Sequence, residues 1–295
     1  MCLDDDLINR KKEGGNTMYL LKISVASFLM FFLCFAPSGC SKKEPPKIRI
    51  TGSTTILPFL IRVSDLYSEK EDVEIRVSSG GSMKGIAALI AGKCDIAMCS
   101  SPIPAKMLAH ARSKDIQIKG FSVAHDMIVP IVHPSNPINN LSLEQLDKIF
   151  SGNIKSWAAF GGQPALIDVV IRTASSGTGE VWKQIVLQSD KLKKDSTVQN
   201  SNSGVLAFVA EHPDAIGYIS FAILNHEVKP LSVDGVAPTV ENAKQGTYPI
   251  FRQLYLYVDE KNLSYDMKSF IVFILSSKGQ HIIKEMGFIP KEPLI

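Results

Sequence analysis

An arginine and a hydroxyl-rich turn stand together in the chain, between an apolar strand and the start of a helix. Arg172 closes the apolar run 169–171, and Ser176, Gly177 and Thr178 follow where a helical pattern begins. A guanidinium supplies a fixed positive charge and a planar set of N–H donors. A helix N-terminus adds backbone N–H groups and a positive partial charge. The pattern therefore predicts an anion-binding site.

Three further turns rich in small polar residues follow apolar strands. They lie at residues 52–55 after the strand 48–51, at 78–82 after the strand 73–77, and at 100–102 after the strand 94–98. In the last turn, Ser101 is expected to cap a helix that has Pro102 at its first position. Four helix starts of this composition predict that one small oxyanion is bound where they meet.

Strands and helices alternate from residue 48 to residue 121. The helices of this part are expected at residues 58–67, 84–91 and 102–112. Such alternation predicts a parallel sheet covered by helices on both faces. Ligands of these sheets bind beyond the carboxyl ends of the strands, which is where the polar turns fall.

The rest of the chain is predicted to form a second lobe and a return to the first. The expected strands are 127–132, 169–172, 215–220 and 253–258, and the expected helices start after Ser142, at 205–211 and at 265–276, with a break at 277–279 before a shorter helix that ends near Met286. We expect the strand 215–220 to carry the chain back, so that two strands cross between the lobes and form a hinge. The corresponding division is 48–126 for the first part of lobe I, 127–221 for lobe II and 222–295 for the return to lobe I.

Length, charge and residue spacing indicate which ligands and partners the chain is not expected to have. The chain has 295 residues, enough for two domains with a sizeable core, and its formal net charge is +3. Its basic residues are spread along the chain without interleaved aromatics, which argues against nucleic-acid binding. No cluster of histidine, cysteine and carboxylate residues has the spacing of a catalytic metal site. We therefore expect no metal, no other cofactor and no nucleic-acid partner.

The N-terminus has the pattern of a lipoprotein signal peptide. From Met18, a short start precedes the apolar residues 23–36, and small residues then lead to Cys40. This pattern predicts a signal peptide at 18–39, acylation of Cys40 and a polar tether at 40–47. The apolar run is shorter than the roughly 20 residues of a spanning helix; an uncleaved membrane anchor is the alternative.

Residues 1–17 contain three consecutive aspartates, which is a poor start for a signal peptide. We interpret this segment as an upstream extension that is not native to the protein. Whether the signal segment is cleaved or stays as a membrane anchor, the rest of the chain is expected outside the cytoplasm. A lipid at Cys40 would anchor it to the cell envelope.

Two cysteines follow Cys40 in the expected mature chain. Cys94 and Cys99 flank an apolar strand, and their spacing matches no zinc or redox motif. We interpret them as buried small hydrophobic residues, with a disulfide as the alternative.

Several of these segments together resemble the phosphate-binding proteins (PstS type) of bacterial ABC importers. The resemblance is carried by residues 52–55 with Pro58, by 80–82, by Gly92-x-x-Asp95-Ile96-Ala97 followed by Ser100, by Arg172-x-x-x-Ser176-Gly177-Thr178, and by 215–218. It spans nearly the whole mature chain. It implies an α/β fold of the two-lobed periplasmic-binding-protein class (type II), with a two-strand hinge, closing on a dehydrated phosphate.

The resemblance also implies the residues of the site. Thr54 and Ser82 would donate their hydroxyls, Thr55 its backbone N–H, Arg172 its charge, and Ser176, Gly177 and Thr178 the groups of a helix-start cradle. The implied partners are inorganic phosphate and an ABC permease with its ATPase. The chain is expected to act as a monomer.

Two positions depart from the best-known pattern of this family. Ser100 stands where a carboxylate often accepts the proton of hydrogen phosphate, and Ala174 stands where an acid often pairs with the arginine. A buried carboxylate repels fully ionised sulfate but accepts a charged hydrogen bond worth roughly 1.5–3 kcal/mol. Ser100 can donate or accept, so we include it in the site. Phosphate is the first ligand expected, and sulfate or another tetrahedral oxyanion is the alternative.

A serine hydrolase is the enzymatic alternative, because residues 174–178 superficially resemble a nucleophile elbow. The glycine two residues before the serine is missing, and neither His212 nor His226 completes a convincing order of Asp and then His. We therefore expect no enzyme. A phosphate sensor that uses the same fold without an importer is a further alternative.

Overall fold

The computed structural model describes residues 47–188 and 191–291. The strands are β1 (Lys47–Gly52), β2 (Glu74–Ser79), β3 (Ile96–Cys99), β4 (Ile118–Val132), β5 (Asn140–Leu141), β6 (Asp168–Arg172), β7 (Thr197–Gln199), β8 (Ala215–Ser220), β9 (Lys229–Pro230), β10 (Ser232–Val233) and β11 (Phe251–Asp259). The α-helices are α1 (Leu57–Ser68), α2 (Ser82–Ile90), α3 (Ala105–Ser113), α4 (Leu143–Phe150), α5 (Gly177–Ile185), α6 (Asn202–Glu211), α7 (Val240–Lys244), α8 (Tyr265–Leu275) and α9 (Ser277–Glu285). The predicted extension, signal peptide, lipidation site at Cys40 and nearly all of the tether lie outside the described residues.

The strands form one path in the order β2-β1-β3-β11-β4-β8-β6-β7. The outer pairs are parallel: β1 with β2 and β3, and β6 with β7 and β8. The two central strands, β11 and β4, are antiparallel to each other and to their outer neighbours. The parallel pattern expected from the alternation of strands and helices therefore describes the outer strands, while the central strands make the sheet mixed.

The described residues form three hydrophobic clusters that define two lobes, one cluster in lobe II and two in lobe I, of which the smaller contains residues of α2, β3 and α3. In lobe I, apolar residues of β1, β3, β11, α1 and α8 pack together, whereas the core of lobe II is built from β6, β8, α4, α5 and α6. Strand β4 belongs to both, since Val123 and Ala124 lie in the first core and Met127 and Ile128 in the second. The 15 residues of β4 thus cross from lobe to lobe without a break.

The return to lobe I occurs later than expected. Val228, Leu231, Tyr248 and Ile250 are all part of the lobe II core, and the chain crosses only at Phe251, where β11 begins to pair with β4. The expected boundary at residue 222 is therefore wrong. Between the two points the chain is tied to lobe II by short strands: β9 pairs with β4, and β10 with β5. Elements of two residues show no periodicity, so the sequence could not reveal them.

Helix α3 also starts later than expected. It begins at Ala105 with Pro104 as its N-cap, and Ser101 makes no cap. The reason is local, because a residue that precedes proline is pushed out of the helical region. Ile103 precedes Pro104, so a helix starting at Pro102 could not continue.

The other predicted elements agree with the structure to within a few residues, with two exceptions. Strand β4 starts at Ile118 rather than at residue 127, because polar residues interrupt the apolar pattern of its first half. The break between the last two helices is at Ser276, which caps α9, and not at 277–279. The helix start expected after Ser142 is confirmed, since the Ser142 hydroxyl and the Gln145 side chain form a reciprocal capping box there.

Cys94 and Cys99 are free and buried, as the sequence predicts. Burial raises the pKa of the Cys94 thiol to about 12 and that of Cys99 well above its ordinary value. Both thiols therefore stay protonated at neutral pH and behave as small core residues. Within residues 47–188 and 191–291, no helix is both long and apolar enough to cross a membrane.

Candidate functional site

The polar turns that end β1, β2, β3 and β6 meet between the lobes. Three serines from lobe I form the first part of the cluster. The Ser53 hydroxyl donates to Ser100 Oγ at 3.0 Å, and Ser82 Oγ lies 3.3 Å from the same oxygen. The Ser100 backbone N–H donates to Ser82 Oγ at 3.1 Å. All three side chains are buried, so their hydroxyls are shielded from bulk solvent.

Glycines allow these turns to approach one another. Gly52 has a φ of 141°, and its carbonyl accepts hydrogen bonds from the N–H groups of both Gly80 and Gly81. Gly81 has a φ of 102°, and a Cβ at this position would lie 2.5 Å from the carbonyl oxygen of Ser175. Side chains at either position would be strained and would separate the turns.

Lobe II contributes the start of α5. Ser176 is its N-cap, and the Ser176 hydroxyl accepts from the Gly179 N–H at 3.1 Å. The N–H groups of Gly177 and Thr178 belong to the first helical turn, which has no intrahelical acceptors. A Cβ on Gly177 would overlap Ser82 Oγ and would lie 2.7 Å from Ser100 Oγ. The positive end of α5 therefore abuts the serines of lobe I.

A second contact between the lobes joins two threonines. Thr55 Oγ1 and Thr178 Oγ1 are 3.1 Å apart, and both side chains are buried. The Asn202 side-chain N–H donates to Thr55 Oγ1 at 2.9 Å. The backbone N–H of Thr55, which the resemblance makes a ligand donor, donates to Ser53 Oγ at 3.2 Å here.

Arg172 lies beneath this cluster and is only 5 % exposed. Its guanidinium donates to neutral oxygens alone: Thr54 Oγ1 at 3.0 Å, Asn202 Oδ1 at 2.6 Å, and the backbone carbonyls of Gln199 at 3.3 Å and Asn200 at 3.0 Å. Among the residues that the structure describes, no carboxylate forms an ion pair with it. Burial lowers the pKa of Arg172 to about 10, so the side chain stays charged at neutral pH.

The arrangement has the chemistry of an anion site. A buried charge without a partner is costly, and here a guanidinium, a helix N-terminus and several hydroxyls face the same place. In the described part of the chain, no group of histidine, cysteine and carboxylate residues could hold a metal ion. The serines of the supposed nucleophile elbow have other partners: Ser175 Oγ donates to the Gly80 carbonyl, and Ser176 caps α5.

The structure brings all eight residues expected in the site into one contact network. They are Thr54, Thr55, Ser82 and Ser100 from lobe I, and Arg172, Ser176, Gly177 and Thr178 from lobe II.

Sequence reasoning missed further members of the network. Asn202 binds both Arg172 and Thr55, and Arg252 donates from Nη1 to Thr178 Oγ1 at 2.8 Å. A signal existed for Arg252, since it is a charged residue in the otherwise largely apolar strand β11. No such signal marked Asn202, because it lies in a polar stretch.

Comparisons with known proteins agree with this fold. The sequence profile of the PBP superfamily domain matches residues 39–278. The phosphate-binding protein PstS of Bacillus subtilis is 28% identical over 291 residues, which cover 92% of this chain and 93% of that protein. PstS of Borreliella burgdorferi is 28% identical over 264 residues, covering 85% of this chain and 92% of that protein.

Solved structures give the same result. One from Clostridium perfringens, reported as a phosphate ABC transporter substrate-binding protein with bound phosphate, superimposes with a TM-score of 0.78 at 32% identity, covering 83% of this chain and 99% of that chain. An ABC-type phosphate transport receptor from Vibrio cholerae has a TM-score of 0.71 at 29% identity, covering 83% of this chain and 100% of that chain.

Proposed function

The chain belongs to the PBP superfamily, and on that premise we propose that it is an extracytoplasmic receptor that binds inorganic phosphate between its lobes and delivers it to an ABC importer. It is a binding protein and not an enzyme. The relatives named above, which are phosphate-binding proteins and phosphate transport receptors, support phosphate as the ligand.

One observation carries the proposal: the buried Arg172 guanidinium has only neutral partners. Burial of an unpaired charge is unfavourable, and an anion bound beside it would offset that cost. The hydroxyls of Ser82, Ser100 and Thr178 and the N-terminus of α5 supply further donors at the same place. A small tetrahedral oxyanion presents its oxygens in four directions, which suits donors that converge from both lobes, whereas the two oxygens of a carboxylate lie in one plane.

Binding and closure are linked in this mechanism. Lobe I contributes Thr54, Thr55, Ser82 and Ser100, and lobe II contributes Arg172 and the start of α5. Oxyanion enters while the lobes are apart, and closure replaces its water with fixed N–H and O–H groups. Because the complete set of donors exists only in the closed form, the ligand shifts the population toward closure.

The ion is proposed to be phosphate, with sulfate as the second candidate. The observation that favours sulfate is Ser100, whose hydroxyl contacts Ser53 and Ser82 and brings no negative charge into the site. A fully ionised oxyanion is therefore not repelled there.

We propose that the receptor is a monomer and that its protein partners are an ABC permease and its ATPase. A lipid on Cys40 would anchor it to the membrane. Support for the importer comes from the transporter relatives. Support for the lipid comes from the sequence of residues 18–40.

Titration calorimetry of the purified protein tests the proposal. We expect wild type to bind phosphate, and Arg172→Met to bind it at least about 100-fold more weakly, because several charged hydrogen bonds are lost. Arg49→Met is the matched control, since it removes a half-exposed guanidinium of lobe I that already has its own carboxylate, Asp95. The control should bind as wild type does. If Arg172→Met bound phosphate as tightly as wild type, the site assignment would be wrong. If wild type bound no oxyanion, the proposed function would be wrong.

A further inference from the structure

Arg252 lies where the two lobes and the two crossing strands meet. Its Nε and Nη2 both donate to Asp126 Oδ2, at 3.0 and 2.6 Å. This leaves Nη1 to donate to Thr178 Oγ1 at 2.8 Å and to the Ser100 carbonyl at 3.3 Å. One guanidinium therefore contacts the helix start of lobe II, the serine turn of lobe I and strand β4.

The pair that Arg252 forms with Asp126 is buried and held by the sheet. The side chains are 2 % and 1 % exposed, and the two residues are direct cross-strand partners in the β4–β11 pairing. Phe251, next to Arg252, is the first residue of β11, so the pair lies at the crossing itself. Burial raises the pKa of Asp126, and the charge of Arg252 opposes that rise.

The contact with Arg252 fixes the role of the Thr178 hydroxyl. A guanidinium only donates, so Thr178 Oγ1 must accept from Nη1, and its own proton points elsewhere. Thr55 Oγ1 is held in the same way, because it accepts from the Asn202 side chain, whose oxygen accepts from Arg172. Only one of the two threonine protons can serve the Thr55–Thr178 contact. The other is left to donate to an anion.

We propose that Arg252 is a positioning residue of the oxyanion site. It holds the Thr178 hydroxyl as an acceptor, so that one proton of the Thr55–Thr178 pair is left for the anion, and it ties the turns of both lobes to the crossing strands. This inference rests on the proposed function, since it assigns Arg252 a part in oxyanion binding. Arg252 acts through Thr178 and Ser100, and the pair with Asp126 holds it in place.

A double-mutant cycle separates positioning from a merely structural role. Phosphate affinity is measured by calorimetry for wild type, Arg252→Met, Thr178→Val and the double variant. Each single variant should bind about 10-fold to 100-fold more weakly, since each removes a hydrogen bond of the network. The double variant should bind no more weakly than about the worse single variant, because Arg252 acts through the hydroxyl that Thr178→Val removes.

A second cycle supplies the comparison. Thr54 contacts Arg172 and makes no hydrogen bond to Arg252. The losses of phosphate affinity from Arg252→Met and from Thr54→Val should therefore multiply in the double variant. Leu254→Ala controls for lost stability, because Leu254 is a buried core residue of the same strand. That variant should lower the Tm and leave phosphate affinity unchanged.

Arg252→Met leaves the Asp126 charge without a partner and can fail to fold. In that case the cycle is run with Asp126→Asn/Arg252→Gln, which removes both charges and shortens the reach to Thr178. If the losses of phosphate affinity in Arg252→Met and Thr178→Val multiplied in the double variant, the inference would be wrong and the proposed function would stand. A wild type that binds phosphate, together with a non-multiplying Thr178 cycle, supports both. A wild type that binds no oxyanion overturns both.

Discussion

At the scale of single residues, the buried arginines Arg172 and Arg252 near the cleft differ in the charge of their hydrogen-bond partners. Arg252 has a carboxylate partner in Asp126, whereas Arg172 has amide, carbonyl and hydroxyl oxygens only. The first arginine is therefore neutralised within the protein. The charge of the second is neutralised by no carboxylate among the described residues, as the proposed anion site requires.

We propose that Ser100 sets the selectivity of this site for one oxyanion over another. Placing a carboxylate there, in Ser100→Asp, should abolish most sulfate binding, because a buried negative charge repels a fully ionised anion. Hydrogen phosphate should keep a usable affinity, since it can donate its proton in a charged hydrogen bond worth roughly 1.5–3 kcal/mol. Calorimetry with each ion at pH 7 measures the ratio.

Ser100→Ala is the control for this substitution, because it removes the hydroxyl without adding charge and should weaken both ions alike. If Ser100→Asp bound sulfate as wild type does, Ser100 would not face the anion. The expectation that this position belongs to the site would then be wrong.

At the scale of elements, helix α5 presents its N-terminus to the cleft. Its first residue, Gly177, lies so close to Ser82 and Ser100 that no Cβ fits between the lobes when they are closed. The glycine is needed for this close approach and not for an unusual backbone angle, since its φ is not positive.

Gly177→Ala should therefore weaken phosphate binding and spare the unliganded fold. Overpacking costs about 1–3 kcal/mol, which corresponds to about a 5-fold to 150-fold loss of affinity. Alanine is a better helix former than glycine, so the Tm without ligand should not fall. Calorimetry and thermal unfolding of the same samples make the comparison, and a falling Tm with unchanged affinity would contradict it.

The hydroxyl turns can be predicted from the sequence because each follows an apolar strand, and in the structure all but one lead directly into a helix. The exception is the turn after β3, where the second proline postpones α3. Arg252 and Asp126 could not be assigned to the site, because their partners are distant along the chain: 74 residues separate Arg252 from Thr178, and 126 separate it from Asp126. Pairings of that kind depend on the register of β4 with β11, which no local pattern encodes.

At the scale of the whole molecule, β4 and β11 are the strands that pass between the two cores. They pair with each other through the crossing, from Met127 with Phe251 to Ile118 with Asp259. The cleft residues sit on turns at both sides of this crossing. Bending there would separate Ser82 and Ser100 from Gly177 and open the site.

Small-angle X-ray scattering should detect this opening. We expect saturating phosphate to lower the radius of gyration of the wild-type protein, because bound anion favours the closed form. Arg172→Met at the same phosphate concentration should show no change. A wild type whose scattering is identical with and without phosphate would contradict the hinge mechanism even if calorimetry showed binding.

The Asp126–Arg252 pair also constrains how a protein like this can diverge. Loss of either partner alone leaves a buried charge and costs about 3–5 kcal/mol, a large part of the roughly 5–15 kcal/mol that stabilises a typical domain. A lineage cannot readily pass through that intermediate. We therefore expect related chains to keep both charges, at positions 126 and 252, or to have lost both.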